Sequence, residues 1–316
     1  MPDPELAVLL EAVRKSDEGQ IGLVLADWLE EFGDDAERAR AEYIRLDYRA
    51  RHDAGLSGQI WVEQRLAELR GAHGAAWMGP LATLRGVPHW TLNRGLLWVW
   101  VRPAILKRGR LRLIAELAQT GWLQGIRCEG WRRRHLRKLF ASPDLKGISA
   151  LEVLNSRGPT PVATLMRNPA RENLERLRIL NGGLTDVALR RIVHGVEFGE
   201  LLALELPFNR LTSQGVVWLA RSTVLGGLEE LNLEANRIGP RGLLAVARSR
   251  HLGSLRLKLA FNRVRGRGAE RLAELPGLSR LASLDVGWNG IGAAGLATLR
   301  ASPHLKGELL ADGNGE

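Results

Sequence analysis

The chain has 316 residues, 45% hydrophobic and 25% charged, a globular balance that excludes wholesale disorder, and no run approaches the roughly 18 apolar residues of a membrane span. Its net charge of +10 is uneven: residues 1–53 carry −7 and the rest +17, and 39 of the 45 bases are arginine. That split marks an anionic partner for the basic part, an attraction between the acidic start and the basic body, or a codon bias with no ligand behind it.

The opening Met1-Pro2-Asp3-Pro4-Glu5 has no positive stretch ahead of its apolar residues, so a secretory leader is not expected. The single cysteine, Cys128, excludes an intrachain disulfide and a thiolate metal cluster, and a cytoplasmic location is expected. Asp3-Pro4 reads as N-cap and first helical position, with Leu6, Leu9, Leu10 and Val13 on one face of the helix that follows. A second helix carries Ile21, Leu25, Trp28 and Leu29 and ends at Gly33. A third begins near Asp35, with Ala39, Tyr43, Leu46 and Ala50 as its stripe. The string Leu25-Ala-Asp-Trp-Leu-Glu-Glu-Phe-Gly-Asp34, followed by Arg40-Ala-Glu-Tyr-Ile-Arg-Leu46, resembles the bacterial repeat-companion domain. The resemblance spans about 50 residues, departs at Ala39-Arg40, and implies a small helical domain ahead of repeats, with no activity attached.

Residues 54–95 read as a connector and N-terminal cap. Ala54-Gly55-Leu56-Ser57-Gly58 is a break, expected to be the site of first proteolysis and to leave a separable head. Trp61 to Leu69 is helical by the spacing of Val62, Leu66 and Leu69, and His73-Gly74-Ala-Ala-Trp77-Met78-Gly79-Pro80-Leu81 resembles the connector of companion-domain proteins.

From residue 96 onward one period governs the chain. The template Leu-x-x-Leu-x-Leu-x-x-Asn-x-Leu is met by Leu201 to Leu211, Leu228 to Ile238 and Leu281 to Ile291, and by Leu257 to Val264 with Ser254 at the first site. Asn209, Asn236, Asn262 and Asn289 are spaced 27, 26 and 27, and six residues after each comes Gly215, Gly242, Gly268 or Gly295. Upstream the pattern weakens: Gly182 replaces Asn, Ser156 and Pro159 break the unit begun by Leu151, and earlier units start at Leu123 and Leu96. Leu309 and Asn314 form a terminal stub, giving about eight units plus the stub over 96–316.

These residues resemble ribonuclease-inhibitor-like leucine-rich repeats. Alternating leucines make a short strand with one buried face, the Asn side chain bonds the turn that leaves it, and the Gly opens a helix such as Gly242 to Ala247. The fold class expected is α/β: a solenoid of parallel inner strands and outer helices, a horseshoe, preceded by a small all-α domain.

Strand alternation turns the third, fifth and seventh template positions onto the concave face. Those columns, with the eighth position at the strand exit, supply the candidate partner-binding residues Trp98, Trp100, Arg102, Arg127, Arg176, Arg178, Phe208, Arg256, Lys258, Phe261 and Trp288. With Glu129, Arg157, Glu205, Glu230, Asn232, Glu234 and Asp285 among them, the face reads as basic and aromatic at its N-terminal end, acidic in the middle and mixed at the end. Exposed Trp, Phe and Arg are the residues that interface hot spots favour, whereas Phe208, Phe261 and Trp288 could equally stack as filler beside the Asn ladder.

Catalytic signatures are missing: there is no phosphate-binding Gly-x-x-x-x-Gly-Lys loop, no dinucleotide fingerprint and no Gly-x-Ser-x-Gly elbow. The seven histidines are scattered without metal-ligand spacing, and Cys128 falls on a buried strand site. Asp27 and Trp28 read as helix surface and core, and Glu30-Glu31 as a solvated face. The expectation is a non-enzymatic protein-binding scaffold with no cofactor, metal or membrane partner. A second reading is nucleic-acid binding through segment 102–138, whose densest run is Trp131-Arg-Arg-Arg-His-Leu-Arg-Lys138, with Trp98, Trp100 and Trp131 available for stacking. A third, by fold analogy, is regulation of an enzyme such as a GTPase.

Overall fold

The computed structural model describes residues 3–16, 19–53, 55, 58–84, 89–107, 109–194 and 198–315. Ala54, Leu56 and Ser57 of the expected cleavage segment, and Met1 and Pro2 of the opening, lie outside the described residues. The chain divides into two compact units, Met1–Arg127 and Cys128–Glu316.

In the first unit Asp3 caps helix α1 (Pro4–Lys15), its carboxylate accepting from the Glu5 amide at 2.8 Å. Helix α2 (Gly19–Phe32) stops before Gly33. Helix α3 (Asp35–His52) opens with a reciprocal capping box between Asp34 and Glu37, which satisfies two amides that the first turn leaves without partners. The buried stripe of α3 is Arg40, Ala41, Tyr43 and Ile44, rotated from the expected Ala39, Tyr43, Leu46 and Ala50. The cause is Arg40, whose guanidinium lies 3.9 Å from the Trp122 ring centre and 5.5 Å from that of Trp77. Burial pushes its pKa down to about 9, against the pull of Glu37 and Asp34.

The helices do not close a core of their own. Leu6, Leu10, Val13, Leu25, Ala26, Leu29, Ala41 and Ile44 form one buried cluster with Leu96, and Trp122 packs against it. The cluster thus reaches beyond residues 1–53, because Leu96 belongs to the strand β2 (Leu96–Val101) that follows the connector.

The helix expected over 61–69 extends further, as α4 (Ile60–Met78). Gly74 lets Trp90 lie against the helix, since a Cβ there would stand 2.6 Å from the indole, and Trp77 donates its ring N–H to the Ala36 carbonyl at 2.7 Å. Sequence reading missed strand β1 (Trp90–Asn93), which pairs antiparallel with β2 across the two-residue turn Arg94-Gly95, both at positive φ. Two such residues match the twist of a hairpin. Helix α5 (Leu111–Gln119) and strand β3 (Leu123–Glu129) follow, and the division between the units falls within β3.

The second unit repeats a strand and a helix. Strands β4 (Ala150–Leu154), β5 (Arg176–Leu180), β6 (Ala203–Glu205), β7 (Glu230–Asn232), β8 (Leu255–Lys258), β9 (Leu281–Asp285) and β10 (Glu308–Leu310) pair in chain order, all parallel. The expected stub is therefore a paired strand. The helices are α6 (Arg133–Phe140), α7 (Val162–Leu165), α8 (Asp186–Val193), α9 (Ser213–Ala220), α10 (Pro240–Ala247), α11 (Arg265–Ala273) and α12 (Gly292–Arg300). Short α7 falls in the unit where Ser156 and Pro159 break the template.

The leucine column is wholly buried at Leu177, Leu204, Leu231, Leu257 and Leu284, and half-buried at Leu309 in the last strand. Beside them each repeat Asn is a rung. Asn236 donates to the Leu206, Leu233 and Glu234 carbonyls at 2.9–3.0 Å and accepts from the Leu211 amide at 2.9 Å. Asn209, Asn262 and Asn289 bond the equivalent groups, and Asn314 closes the series, accepting from the Asn289 and Ile291 amides. Gly242 does not open its helix. It lies in the first turn of α10, where a Cβ would meet Ile238 at 2.7 Å and the Ser213 backbone at 3.2 Å, so its role is close helix packing.

A second polar ladder escaped the sequence reading. Ser222, Ser249 and Ser302 donate to the last carbonyls of α8, α9 and α11, those of Val193, Ala220 and Ala273, at 2.6–2.7 Å. For α10 the Arg280 guanidinium serves the Ala247 carbonyl, and for α6 the Asn168 amide serves that of Phe140.

Three outcomes test this packing by thermal or denaturant unfolding. Leu231→Ala is expected to cost about 2–5 kcal/mol. Asn236→Ala should cost about 1–3 kcal/mol by stranding buried carbonyls. In the first unit, Arg40→Met should be tolerated better than Arg40→Lys, because an apolar chain of similar size avoids burying charge and an ammonium cannot lie flat on an indole.

Candidate functional site

The face of the strands opposite the leucine columns carries the sequence-predicted residues. In the first unit they are not equally open. Trp98 is buried, correcting its expected exposure, and donates its ring N–H to Gln124 at 2.6 Å. Gln124, from β3, also accepts from Asn93 of β1, so the neighbouring strands use this indole as packing. Trp100 is half-buried between His89, 4.8 Å away ring to ring, and the Arg127 guanidinium 4.3 Å above its ring. Arg102 is exposed at the end of β2.

In the second unit, strand register sets the charges in rows. Glu152, Arg178, Glu205, Asn232, Lys258 and Asp285 face one another across successive strands. Arg178 stands 3.9 Å from Glu152 and 3.7 Å from Glu205. Glu230 is held by Lys258 at 2.6 Å and by Arg256 at 3.7 Å. Arg176 is half-buried in the row that also contains Glu230 and Arg256. The basic and acidic zones read from the sequence are thus charge-paired across strands. Glu152, which completes the row, was missed because its repeat is degenerate; its signal is that it occupies the template position of Arg178 and Glu205. Burial raises the Glu205 pKa, Glu230 and Glu152 push the same way, and Arg178 and Lys258 oppose them.

At the strand exits a different column forms. Asn155, Asn181, Phe208, Ala235, Phe261 and Trp288 all have φ between 48° and 55°, the left-handed region, and each donates its amide to a carbonyl of the next repeat. Bulky side chains seldom occupy that region, and the inter-repeat hydrogen bonds hold them there. Phe208, Phe261 and Trp288 are 53%, 50% and 58% exposed. Phe261 and Trp288 stack with ring centres 5.6 Å apart and planes 5° from parallel, and Gly313 leaves room for the indole in the following turn. Phe208 stands apart because Ala235 occupies the position between.

Away from this face, Arg132 at the N-cap and Arg133, Arg134 and Arg137 on α6 lie exposed while Leu136, Leu139 and Phe140 are buried. Trp131 is buried too, which removes it as the base-stacking group expected of it. Burial pushes the Cys128 thiol up, away from a nucleophile's range. Asp27 pairs with Arg45 on the surface at 2.6 Å, and Trp28 packs on the helical core. Among the described residues no three His, Cys, Asp or Glu side chains gather as a metal site, and no helix is long and apolar enough to cross a membrane.

Against known families, residues 228–247 and 281–299 match the model described as Leucine Rich repeat. These are leucine-rich repeats. A search of curated proteins returned no match. Each matched segment runs from β7 or β9 through its Asn rung into α10 or α12. The unit between them has the same rung at Asn262 and the same parallel pairing, so the second unit is a leucine-rich-repeat solenoid and the first supplies an N-terminal helical region.

Glu205 gives a pH test of the charge rows. Its folded pKa lies above the unfolded value, so the folded state holds the extra proton and stability falls as pH rises through that interval. Glu205→Gln should flatten this decline above the ordinary glutamate range and leave the neutral-pH unfolding midpoint unchanged or higher. A midpoint that drops at neutral pH would show the ionised pair with Arg178 to be stabilising instead.

Proposed function

We propose that the protein is a non-enzymatic scaffold that binds a protein partner on the open face of its leucine-rich repeats. Leucine-rich repeats generally mediate protein–protein interaction. The observation that carries the reading is the stacked Phe261–Trp288 pair, two large rings half or more exposed at the strand exits. Rigid aromatic anchors ringed by polar groups are where interfaces concentrate their binding energy. Arg256 and Lys258 of β8 with Phe208, Arg176 and Arg178 extend the surface, and Trp100, Arg102 and Arg127 offer a patch in the first unit. The 26–27-residue period with helices of eight or nine residues supports the ribonuclease-inhibitor-like type. By its sequence resemblance the stretch 1–53 is a repeat-companion domain, with 54–95 as connector and cap and the repeats from 96, in a bacterial cytoplasmic protein.

The test is capture of a partner from native lysate, with and without nuclease, followed by variants. Phe261→Ala and Trp288→Ala should each weaken binding by about 2 kcal/mol, roughly thirtyfold, at an unchanged unfolding midpoint. Neutralising Arg132, Arg133 and Arg134 should leave that interaction intact. Binding that survives the aromatic changes and fails in the arginine variant would overturn the reading. A lowered midpoint with normal binding would make the stack structural filler.

A further inference from the structure

The positive charge of the second unit is sorted between its two faces. On the strand face Arg178, Arg256 and Lys258 each stand within 4 Å of a carboxylate. On the helix side a cleft of about 400 Å³ between α9 and α10 has Val217 and Ala220 among its walls and is rimmed by Arg221, Arg241, Arg248 and Arg250, with His251. No Asp or Glu lines it, the four arginines are exposed, and among the described residues none of their guanidiniums has a hydrogen-bond or carboxylate partner. A second cleft, of about 250 Å³, has Arg133, Arg137 and Arg191 and is likewise without a carboxylate.

Helix dipoles account for part of this. Arg221 and Arg248 follow the last residues of α9 and α10, where a cation offsets the negative end of the helix. Arg241 is different, because it sits in the first turn of α10, where the dipole disfavours a cation. Its placement beside three other unneutralised guanidiniums raises the local potential, with no carboxylate among the described residues that line the cleft. We propose that this cleft binds a phosphate-bearing chain. Guanidinium forks match phosphate oxygens in pairs, and a chain with closely spaced charges neutralises several arginines at once, which a single carboxylate does not. The site lies on the helix layer and is independent of the aromatic pair at the strand exits.

The experiment is fluorescence anisotropy of the full chain with a labelled short oligouridylate, at about 50 to 200 mM salt, competed by inorganic polyphosphate or polyglutamate. Binding is expected to weaken steeply with salt. Arg241→Ser combined with Arg248→Ser should lower affinity at least about tenfold and flatten the salt slope by roughly 0.7 for each phosphate no longer neutralised. Arg133→Ser with Arg137→Ser, in the other cleft, should have the smaller effect, and the unfolding midpoints should not move. Displacement by polyphosphate at equal phosphate concentration identifies the backbone charge as the ligand chemistry, whereas oligonucleotide binding that resists polyphosphate identifies a nucleic acid. Absence of binding at low salt, unchanged affinity in the Arg241/Arg248 variant, or equal competition by polyglutamate would each overturn the proposal.

Discussion

A short parallel strand cannot satisfy the backbone where it turns out of the sheet, and the repeat Asn does so from its side chain. The Asn236 amide serves three carbonyls and one N–H drawn from two adjacent repeats, in a place closed to water. Each rung therefore welds two units at a fixed register. Once register is fixed, the leucines fall into buried columns and the intervening residues into rows across the strands. The left-handed residue before each rung follows from the same constraint, since its amide must reach the next repeat while the Asn turns inward. Phe261 and Trp288 are presented outward because their backbones are held by that ladder.

Charge follows register as well. Rows such as Glu152, Arg178 and Glu205 place opposite charges on facing strands, so the sheet face is close to neutral and partly desolvated. No such register governs the helix layer, and its arginines stand without carboxylates around the α9–α10 cleft. The two faces consequently offer different chemistry: aromatic with compensated charge on one, uncompensated guanidinium on the other.

What was readable in the sequence was whatever recurs at a fixed period with the same physical task. Asn209, Asn236, Asn262 and Asn289 announce their rungs because only a side chain with both donor and acceptor serves there. The outer placement of Arg132, Arg133 and Arg134 was likewise legible from the inward spacing of Leu136, Leu139 and Phe140. Ser222, Ser249 and Ser302 share one task at that period, yet serine is common after helices, and Arg280 and Asn168 replace it elsewhere. The burial of Trp98 was hidden because it depends on Gln124, one strand away, and β1 was hidden because a four-residue strand leaves little pattern. Of the two carboxylates beside Arg178, Glu205 stands in a clear repeat and Glu152 in one whose template is broken by Ser156 and Pro159.

The placement of Arg40 bears on how such a protein is inherited. Its guanidinium lies against Trp77 and Trp122, and the helices around it are completed by Leu96. A recombination point just after the third helix would hand a recipient chain a buried cation without its aromatic walls and a core without its final leucine. A segment that kept both would have to reach past Trp122, and would then include strands β1 and β2.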